Sequence, residues 1–131
     1  MHLESKIYNQ YPELFEKTLY GFSFDHGDGW YNIVEQMCRL IAEHLQVQKE
    51  ESDFLFGQIK EKFGRLRVYH LTADDYTKGV IDMAEALSAV TCEQCGNPGY
   101  TRLGPWVRVL CDDHATQFGY KTPSNQLFRN I

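Results

Sequence analysis

The stretch Cys92-Glu93-Gln94-Cys95, followed after fifteen residues by Cys111-Asp112-Asp113-His114, decides how the C-terminal third of this chain folds. Zn2+ binds four thiolate or imidazole donors in a tetrahedron, and a two-residue gap lets two ligands on one turn bind the same ion. Gly96 directly follows the second cysteine and relieves crowding where such a turn is sharp. The spacing therefore predicts a zinc site with four ligands: Cys92, Cys95, Cys111 and His114.

The segment between the motifs is expected to form a small hairpin. Residues 100–103 and 106–110 have the composition of two short strands joined at Gly104-Pro105, and the second motif would begin a short helix that runs toward Phe118. A knuckle, a hairpin and a helix in this order resemble a treble-clef zinc finger, over about residues 91–118. Three thiolates and one imidazole would fill the coordination sphere, whereas a catalytic zinc keeps a position open for water or substrate. We therefore expect a structural metal.

Hydrophobic periodicity predicts helices and a β-hairpin before the zinc module. Residues 3–18 have a roughly helical apolar spacing with a new turn at Pro12, and residues 20–29 are a loop rich in glycine and aspartate. Residues 30–45 repeat apolar side chains at steps of three and four, which indicates a helix that Asp28 can cap. Residues 54–71 alternate as a hairpin does, with its turn at Phe63-Gly64, although residues 59–63 also fit a helix.

A further helix is predicted after the hairpin, with Thr72 and Asp75 as a capping pair. Its expected buried stripe consists of Tyr76, Val80, Met83, Ala84 and Leu87. The predicted fold class is α+β, with helices packed on a β-hairpin and a C-terminal treble-clef-like zinc module. We expect one compact domain made of a helical and hairpin region at 1–90, the module at 91–118 and a tail at 119–131.

Composition indicates a globular chain and excludes several classes. The protein has 131 residues and a mass of 15.3 kDa, with 43% hydrophobic and 24% charged residues, so disordered, collagen-like and coiled-coil chains are disfavoured. No apolar run approaches the roughly 18 residues of a membrane span, and the first six residues lack the pattern of a secretory signal. We therefore expect a cytoplasmic protein whose cysteines are thiols or metal ligands. Cys38, inside the predicted helix at 30–45, is expected to be a core residue.

Charge is unevenly distributed along the chain. The net charge of −5 argues against binding to duplex nucleic acid, but residues 54–73 carry four basic side chains against Glu61 alone. Alternating cations on a strand share a face and could clasp a phosphate while an aromatic ring stacks on a base. The alternative is a solvated face that pairs with acidic groups of the same chain. The candidate ligand- or partner-binding residues are Trp30, Lys60, Lys62, Arg65, Arg67 and Tyr69.

Other signatures of catalysis are weak. The loop Asp25-His26-Gly27-Asp28-Gly29-Trp30 contains an acid and an imidazole, but such a cluster more often caps a helix. No serine has the context of a nucleophile elbow, and no phosphate-binding glycine loop is present. The predicted histidine ligand, His114, is not followed two residues later by glutamate, as the H-x-E motif of zinc deaminases requires. We therefore expect no catalytic residues and no enzymatic activity.

Several segments resemble a family of uncharacterised small zinc-binding proteins from phages and prophages. They are residues 58–69, with Glu61-Lys62-Phe63-Gly64, then Met83-Ala84-Glu85, residues 91–99 and residues 106–114. The resemblance spans about residues 28–45 and 58–115. Relatives often carry Gly-Gly-Trp before the last strand, where this chain has Gly104-Pro105-Trp106. The resemblance implies a phage-like setting inside a bacterial host cell, and it supplies no activity.

The sequence thus favours a non-enzymatic phage or prophage accessory protein whose structural zinc module supports binding to a host protein. Inhibition of bacterial defence is one role that such a protein can have. A first alternative is a small-molecule or nucleotide binder, such as a sponge for a signalling nucleotide, that uses the basic hairpin between Lys60 and Arg67. A further alternative, a nucleic-acid-binding zinc finger, is disfavoured by the acidic balance. No membrane partner is expected.

Overall fold

The computed structural model describes residues 3–15, 24–48 and 52–120. It confirms the predicted α+β class. The helices are α1 (Leu3–Gln10), α2 (Tyr31–Val47), α3 (Asp75–Ser88) and α4 (Asp112–Gln117), and short 3-10 turns lie at Pro12–Leu14 and Asp28–Trp30. The strands are β1 (Phe24–Asp25), β2 (Phe56–Lys62), β3 (Arg65–His70), β4 (Tyr100–Arg102) and β5 (Arg108–Leu110). No helix in these ranges is both long and apolar enough to cross a membrane.

The larger sheet has the order β1-β2-β3, and the smaller one pairs β4 with β5. β2 and β3 form the predicted antiparallel hairpin, so residues 59–62 are strand and not helix. The turn residues Phe63 and Gly64 have φ of 54° and 84°, which is the left-handed pair that matches the twist of a two-residue hairpin. β1 lies in the segment predicted to be a loop, where Phe24 and Asp25 pair in parallel with Ile59 and Lys60.

One apolar core joins the sheet to α1, α2 and α3. Its centre is the inner face of α2 together with Trp30, which has no exposed surface. Cys38 is buried in this core, as predicted. Asp28, in contrast, makes no side-chain cap for α2. The 3-10 turn supplies the partner instead, because the backbone N–H of Tyr31 donates to the carbonyl of Asp28.

The rotation of α3 differs from the prediction. Asp74, not Thr72, caps the helix by accepting a hydrogen bond from the backbone N–H of Thr77. Of the predicted buried stripe only Ala84 is fully buried, whereas Tyr76, Met83 and Leu87 are 47%, 61% and 43% exposed. The buried face is instead formed by residues of mixed polarity: Thr77, Ile81, Ala84 and Ser88.

Hydrogen bonds to β3 account for this rotation. The hydroxyl of Ser88 accepts from the N–H of Leu66 at 2.9 Å, and the carboxylate of Glu85 accepts from the N–H of Val68 at 3.0 Å. These N–H groups lie on the edge of β3 that faces away from β2, where an unpaired group would be costly once buried. The polar residues of α3 therefore turn toward the sheet, and part of its apolar stripe turns outward.

Candidate metal centre

The four predicted ligands are brought together by a turn and a helix start. Cys92 and Cys95 lie on a knuckle closed by a hydrogen bond from the N–H of Gly96 to the carbonyl of Cys92, at 2.9 Å. Gly96 has a φ of 84°, which favours glycine at this position. Cys111 follows β5 as the N-cap of α4, and its sulfur accepts from the backbone N–H of His114. The strand–strand–helix order predicted for this segment is present, and the treble-clef assignment stays a prediction.

The geometry of the donor atoms fits a single tetrahedral ion. The four ligand atoms lie within 4.8 Å of one another. The Sγ atoms of Cys95 and Cys111 are 3.8 Å apart, and Nδ1 of His114 is 3.8 Å from Sγ of Cys92 and 3.2 Å from Sγ of Cys111. A tetrahedron with Zn–S bonds of 2.3 Å has S···S edges of about 3.8 Å. The sulfurs are too far apart for a disulfide, so the cluster could hold a metal ion.

The protonation of the thiols is also suited to a shared cation. Burial disfavours the Cys92 thiolate, but backbone N–H groups of Cys111, Cys95 and Gln94 outweigh it and lower its pKa. Desolvation and the neighbouring sulfurs of Cys92 and Cys111 raise the pKa of Cys95 to about 11. The backbone therefore favours the thiolate of Cys92, whereas a cation between the sulfurs would favour ionisation of Cys95.

A buried arginine fixes the position of the second ligand pair. The side chain of Arg102 on β4 is 1% exposed, and its Nε and Nη2 donate to the carbonyl of Leu110 at 3.1 and 2.9 Å. Nη2 also lies 2.8 Å from a carboxylate oxygen of Asp112, in the first turn of α4. This one side chain joins the end of β5 to the start of α4, on either side of Cys111. The sequence offered no signal that this arginine would be buried.

The knuckle docks on the loop that precedes α2. The N–H of Gly29 donates to the carbonyl of Glu93 at 2.7 Å, the N–H of Gly27 donates to the Glu93 carboxylate at 2.9 Å, and Nε1 of Trp30 donates to the carbonyl of Thr91 at 2.9 Å. A Cβ on either glycine would lie 2.5 Å from the Glu93 carbonyl oxygen. The loop at residues 25–30, which was predicted to cap a helix, is thus the surface on which the metal module packs.

Glu93 is a residue whose importance the sequence did not indicate. It lies between two candidate ligands, where a solvated side chain is the simplest expectation, yet it is only 6% exposed. Burial raises the pKa of Glu93, while the N–H of Gly27 and the guanidinium of Arg108, 3.9 Å away, oppose that rise. The only sequence signal for this contact is the pair of glycines in the loop, which leave room for another chain segment.

The residues predicted to bind a ligand or partner fall into two groups in the structure. The register of the hairpin pairs Lys60 with Arg67 and Lys62 with Arg65, so these four cations share one face together with Tyr69. Trp30 does not belong to this group. It is fully buried and its indole N–H is bonded to Thr91, so the prediction that it stacks on a ligand is wrong. Its place at the start of the apolar repeat of residues 30–45 agrees with this burial.

No family model, curated protein or solved structure matches this chain. Within the described ranges, the group formed by Cys92, Cys95, Cys111 and His114 is also the single cluster of His, Cys, Asp or Glu side chains that could hold a metal. The acid and imidazole of the Asp25–Trp30 loop do not form a second one. The metal centre is therefore the starting point for assigning a function.

Proposed function

We propose that this chain is a non-enzymatic accessory protein of a phage or prophage, in which a structural Zn2+ ion supports a surface that binds a protein of the bacterial host. The observation that carries the non-enzymatic part is the set of four donors at tetrahedral spacing. With all four bound, the ion has no position left for water or substrate. The phage setting and the bacterial host cell rest on the sequence resemblance.

The apolar groove between α2 and α3 supports protein binding. Its volume is about 570 Å3, and twelve residues line it, of which Asp75 is the only charged one. Met83 and Tyr76, on the outward stripe of α3, leave 61% and 47% of their surface exposed here. Apolar side chains gathered in one groove, unlike single scattered ones, can mark a site of protein binding. The groove is therefore the best candidate for the docking surface.

The dimensions and charge of the groove favour one amphipathic helix of the partner as its occupant. Twelve lining residues are well below the roughly 20–30 residues per side of a standard interface between two folded domains. A groove whose two walls are the helices α2 and α3 suits a third helix that inserts apolar side chains at i, i+3, i+4 and i+7. Asp75 at one end of the groove complements a basic residue at the matching end of that helix.

Gly79 supports close approach of this helix. It lies within α3 and lines the groove, and a Cβ built on it would meet no atom of the described residues within 4 Å. Glycine inside a helix costs about 1 kcal/mol relative to alanine, and no contact with the residues that the structure describes compensates that cost at this position. A second helix that packs its backbone over Gly79 would do so.

Site-specific photo-cross-linking tests this proposal. A photoreactive phenylalanine analogue placed at position 83 of the full chain is expected to cross-link, in bacterial lysate, to one host protein through a segment with helical apolar periodicity, identified by mass spectrometry. Met83→Glu in a tagged chain should abolish recovery of that same protein. Leu103→Glu is the matched control, because Leu103 is 63% exposed and lies in the metal module, away from the groove.

Two outcomes would contradict the proposal. One is a cross-link from position 83 only to residues of this same chain, whether within one molecule or from a second copy. The other is recovery of the host protein that is equally strong with Met83→Glu and with the unmodified chain. Either result would leave the metal centre intact and remove the groove as the binding surface.

A further inference from the structure

The outer face of the β2–β3 hairpin carries a dense positive charge that the fold itself does not use. Lys60 lies opposite Arg67, and Lys62 lies opposite Arg65. Directly opposed side chains on one face have Cβ atoms about 4.5–5.5 Å apart, and like charges at that distance repel. Along each strand the two cations are about 6.8 Å apart. The hairpin therefore concentrates four positive charges on a small exposed surface.

Nearby acidic groups are engaged elsewhere. The carboxylate of Glu61 accepts a hydrogen bond from the N–H of Gly64 at 2.6 Å and so closes the turn. Asp25, which pairs with Lys60 in the register, lies 3.3 Å from the side-chain nitrogen of Gln58. Among the residues that the structure describes, no ion pair involves any of the four cations, and the closest aromatic contact is that of Lys62 with the Phe63 ring at 6.0 Å. The predicted pairing with acidic surface of the same chain is thus not found in this part of the molecule.

We propose that this face binds the polyphosphate group of a nucleoside triphosphate, with Tyr69 stacking on the base. Arginine and lysine at this density suit linked phosphates, since several anionic oxygens can each accept charge-assisted hydrogen bonds. Tyr69 follows Arg67 by two residues, so it lies on the same face, and 43% of its surface is exposed. The phosphates occupy the two cation pairs and the base lies over the ring beside them. This inference is independent of the groove and of the metal centre.

Titration calorimetry on the full chain with ATP, inorganic tripolyphosphate, adenosine and a twenty-residue oligo-dT tests the proposal. ATP and tripolyphosphate should bind and adenosine should not. The double variant with Arg65→Glu and Arg67→Glu should weaken the binding of ATP and of tripolyphosphate by about tenfold or more for each arginine. Each substitution removes a charged hydrogen bond to phosphate. Tyr69→Ala should weaken ATP several-fold and leave tripolyphosphate unchanged. Lys6→Glu with Lys78→Glu, which changes net charge equally at exposed positions, should bind like the unmodified chain.

Thermal melting of the double arginine variant distinguishes loss of the binding site from loss of the fold. The double arginine reversal places Glu opposite Lys60 and Lys62, so the variant should melt at a higher temperature than the unmodified chain while binding ATP more weakly. The proposal is overturned if neither ATP nor tripolyphosphate binds, or if both bind equally well to the double reversal. Oligo-dT binding at least tenfold tighter than ATP would also overturn it, because the ligand would then be a single-stranded nucleic acid.

Discussion

The two parts of this molecule are held together by different means. Among the described residues before position 89, a core cluster contains seventeen buried apolar residues, whereas the cluster of the C-terminal module contains three, Cys92, Leu110 and Ala115. Apolar burial of that size cannot offset the entropy of ordering about thirty residues. The module is instead supported by the Arg102 side chain and by hydrogen bonds to the loop before α2, and its four candidate ligands could add the binding energy of a metal ion. We therefore expect the two regions to unfold under different perturbations.

The largest expected effect comes from removing the metal. Cys95→Ser, or a strong chelator, should unfold at least residues 91–118, because zinc binding in finger peptides contributes roughly 10–16 kcal/mol, as much as the roughly 5–15 kcal/mol stability of a domain. Hydrogen exchange followed by mass spectrometry should show lost protection in β4, β5 and α4, with protection in α2 retained. Elemental analysis should find one zinc per unmodified chain.

Cys38→Ala provides the control for cysteine chemistry. Cys38 is buried in the apolar core, so this variant should keep its zinc and lose only a modest amount of stability through the small cavity. Identical melting of the unmodified chain with and without chelator would contradict a structural metal. Simultaneous loss of protection in α2 and in the module would show that the two regions form one cooperative unit.

An intermediate effect is expected where the regions meet. In Gly29→Ala the new Cβ would lie 2.5 Å from the carbonyl carbon and oxygen of Glu93 and would also contact the carbonyl oxygen of Cys92. The knuckle must shift, at a cost of about 1–3 kcal/mol, and competition with a chromophoric chelator should show weaker zinc binding. Urea unfolding measures the loss of stability.

Gly79→Ala is the matched control for that substitution. In the part of the chain that the structure describes, its Cβ would meet no atom within 4 Å, and alanine in a helix interior should raise stability by about 1 kcal/mol. Zinc affinity should not change. Equal zinc affinity of Gly29→Ala and the unmodified chain would contradict the prediction, because it would show that packing on this loop does not contribute to zinc binding.

The local features of this fold were predictable and the long-range ones were not. Ligand spacing in Cys92-Glu93-Gln94-Cys95 and period-two alternation around Phe63-Gly64 are properties of neighbouring residues, and both led to the correct element. The position of Trp30 and the burial of Glu93 depend on a contact between segments more than sixty residues apart. No periodicity within either segment encodes such a contact.

The orientation of α3 illustrates a second limit. An apolar stripe predicts the buried face only when apolar burial decides the packing. Here hydrogen bonds from the edge of β3 to Ser88 and Glu85 decide it, and Met83 is left outside. The apolar side chains of α3 that were predicted to be buried are therefore largely exposed. This exposed stripe is the basis of the proposed binding groove.

The smallest expected effect is confined to the N-terminal region and depends on pH. Asp74→Ala removes the α3 cap and should lower the free energy of unfolding by about 1 kcal/mol at pH 7, with unchanged zinc affinity. The backbone N–H of Thr77, and then the His44 ring 2.7 Å away, hold the pKa of Asp74 well below its usual value near 3.9. Asp74 thus stabilises the fold above about pH 4, and this contribution is lost as pH falls below that value toward the folded-state pKa.

Urea unfolding of both chains at several pH values should therefore show a difference that is constant near neutrality and shrinks below about pH 4. Because acid releases the metal from both chains alike, the difference between them isolates Asp74. Asp82→Ala, at an exposed position of the same helix, should stay within about 0.5 kcal/mol of the unmodified chain. A lower zinc affinity of Asp74→Ala would contradict this prediction. It would show that loss of the α3 cap also weakens the metal module.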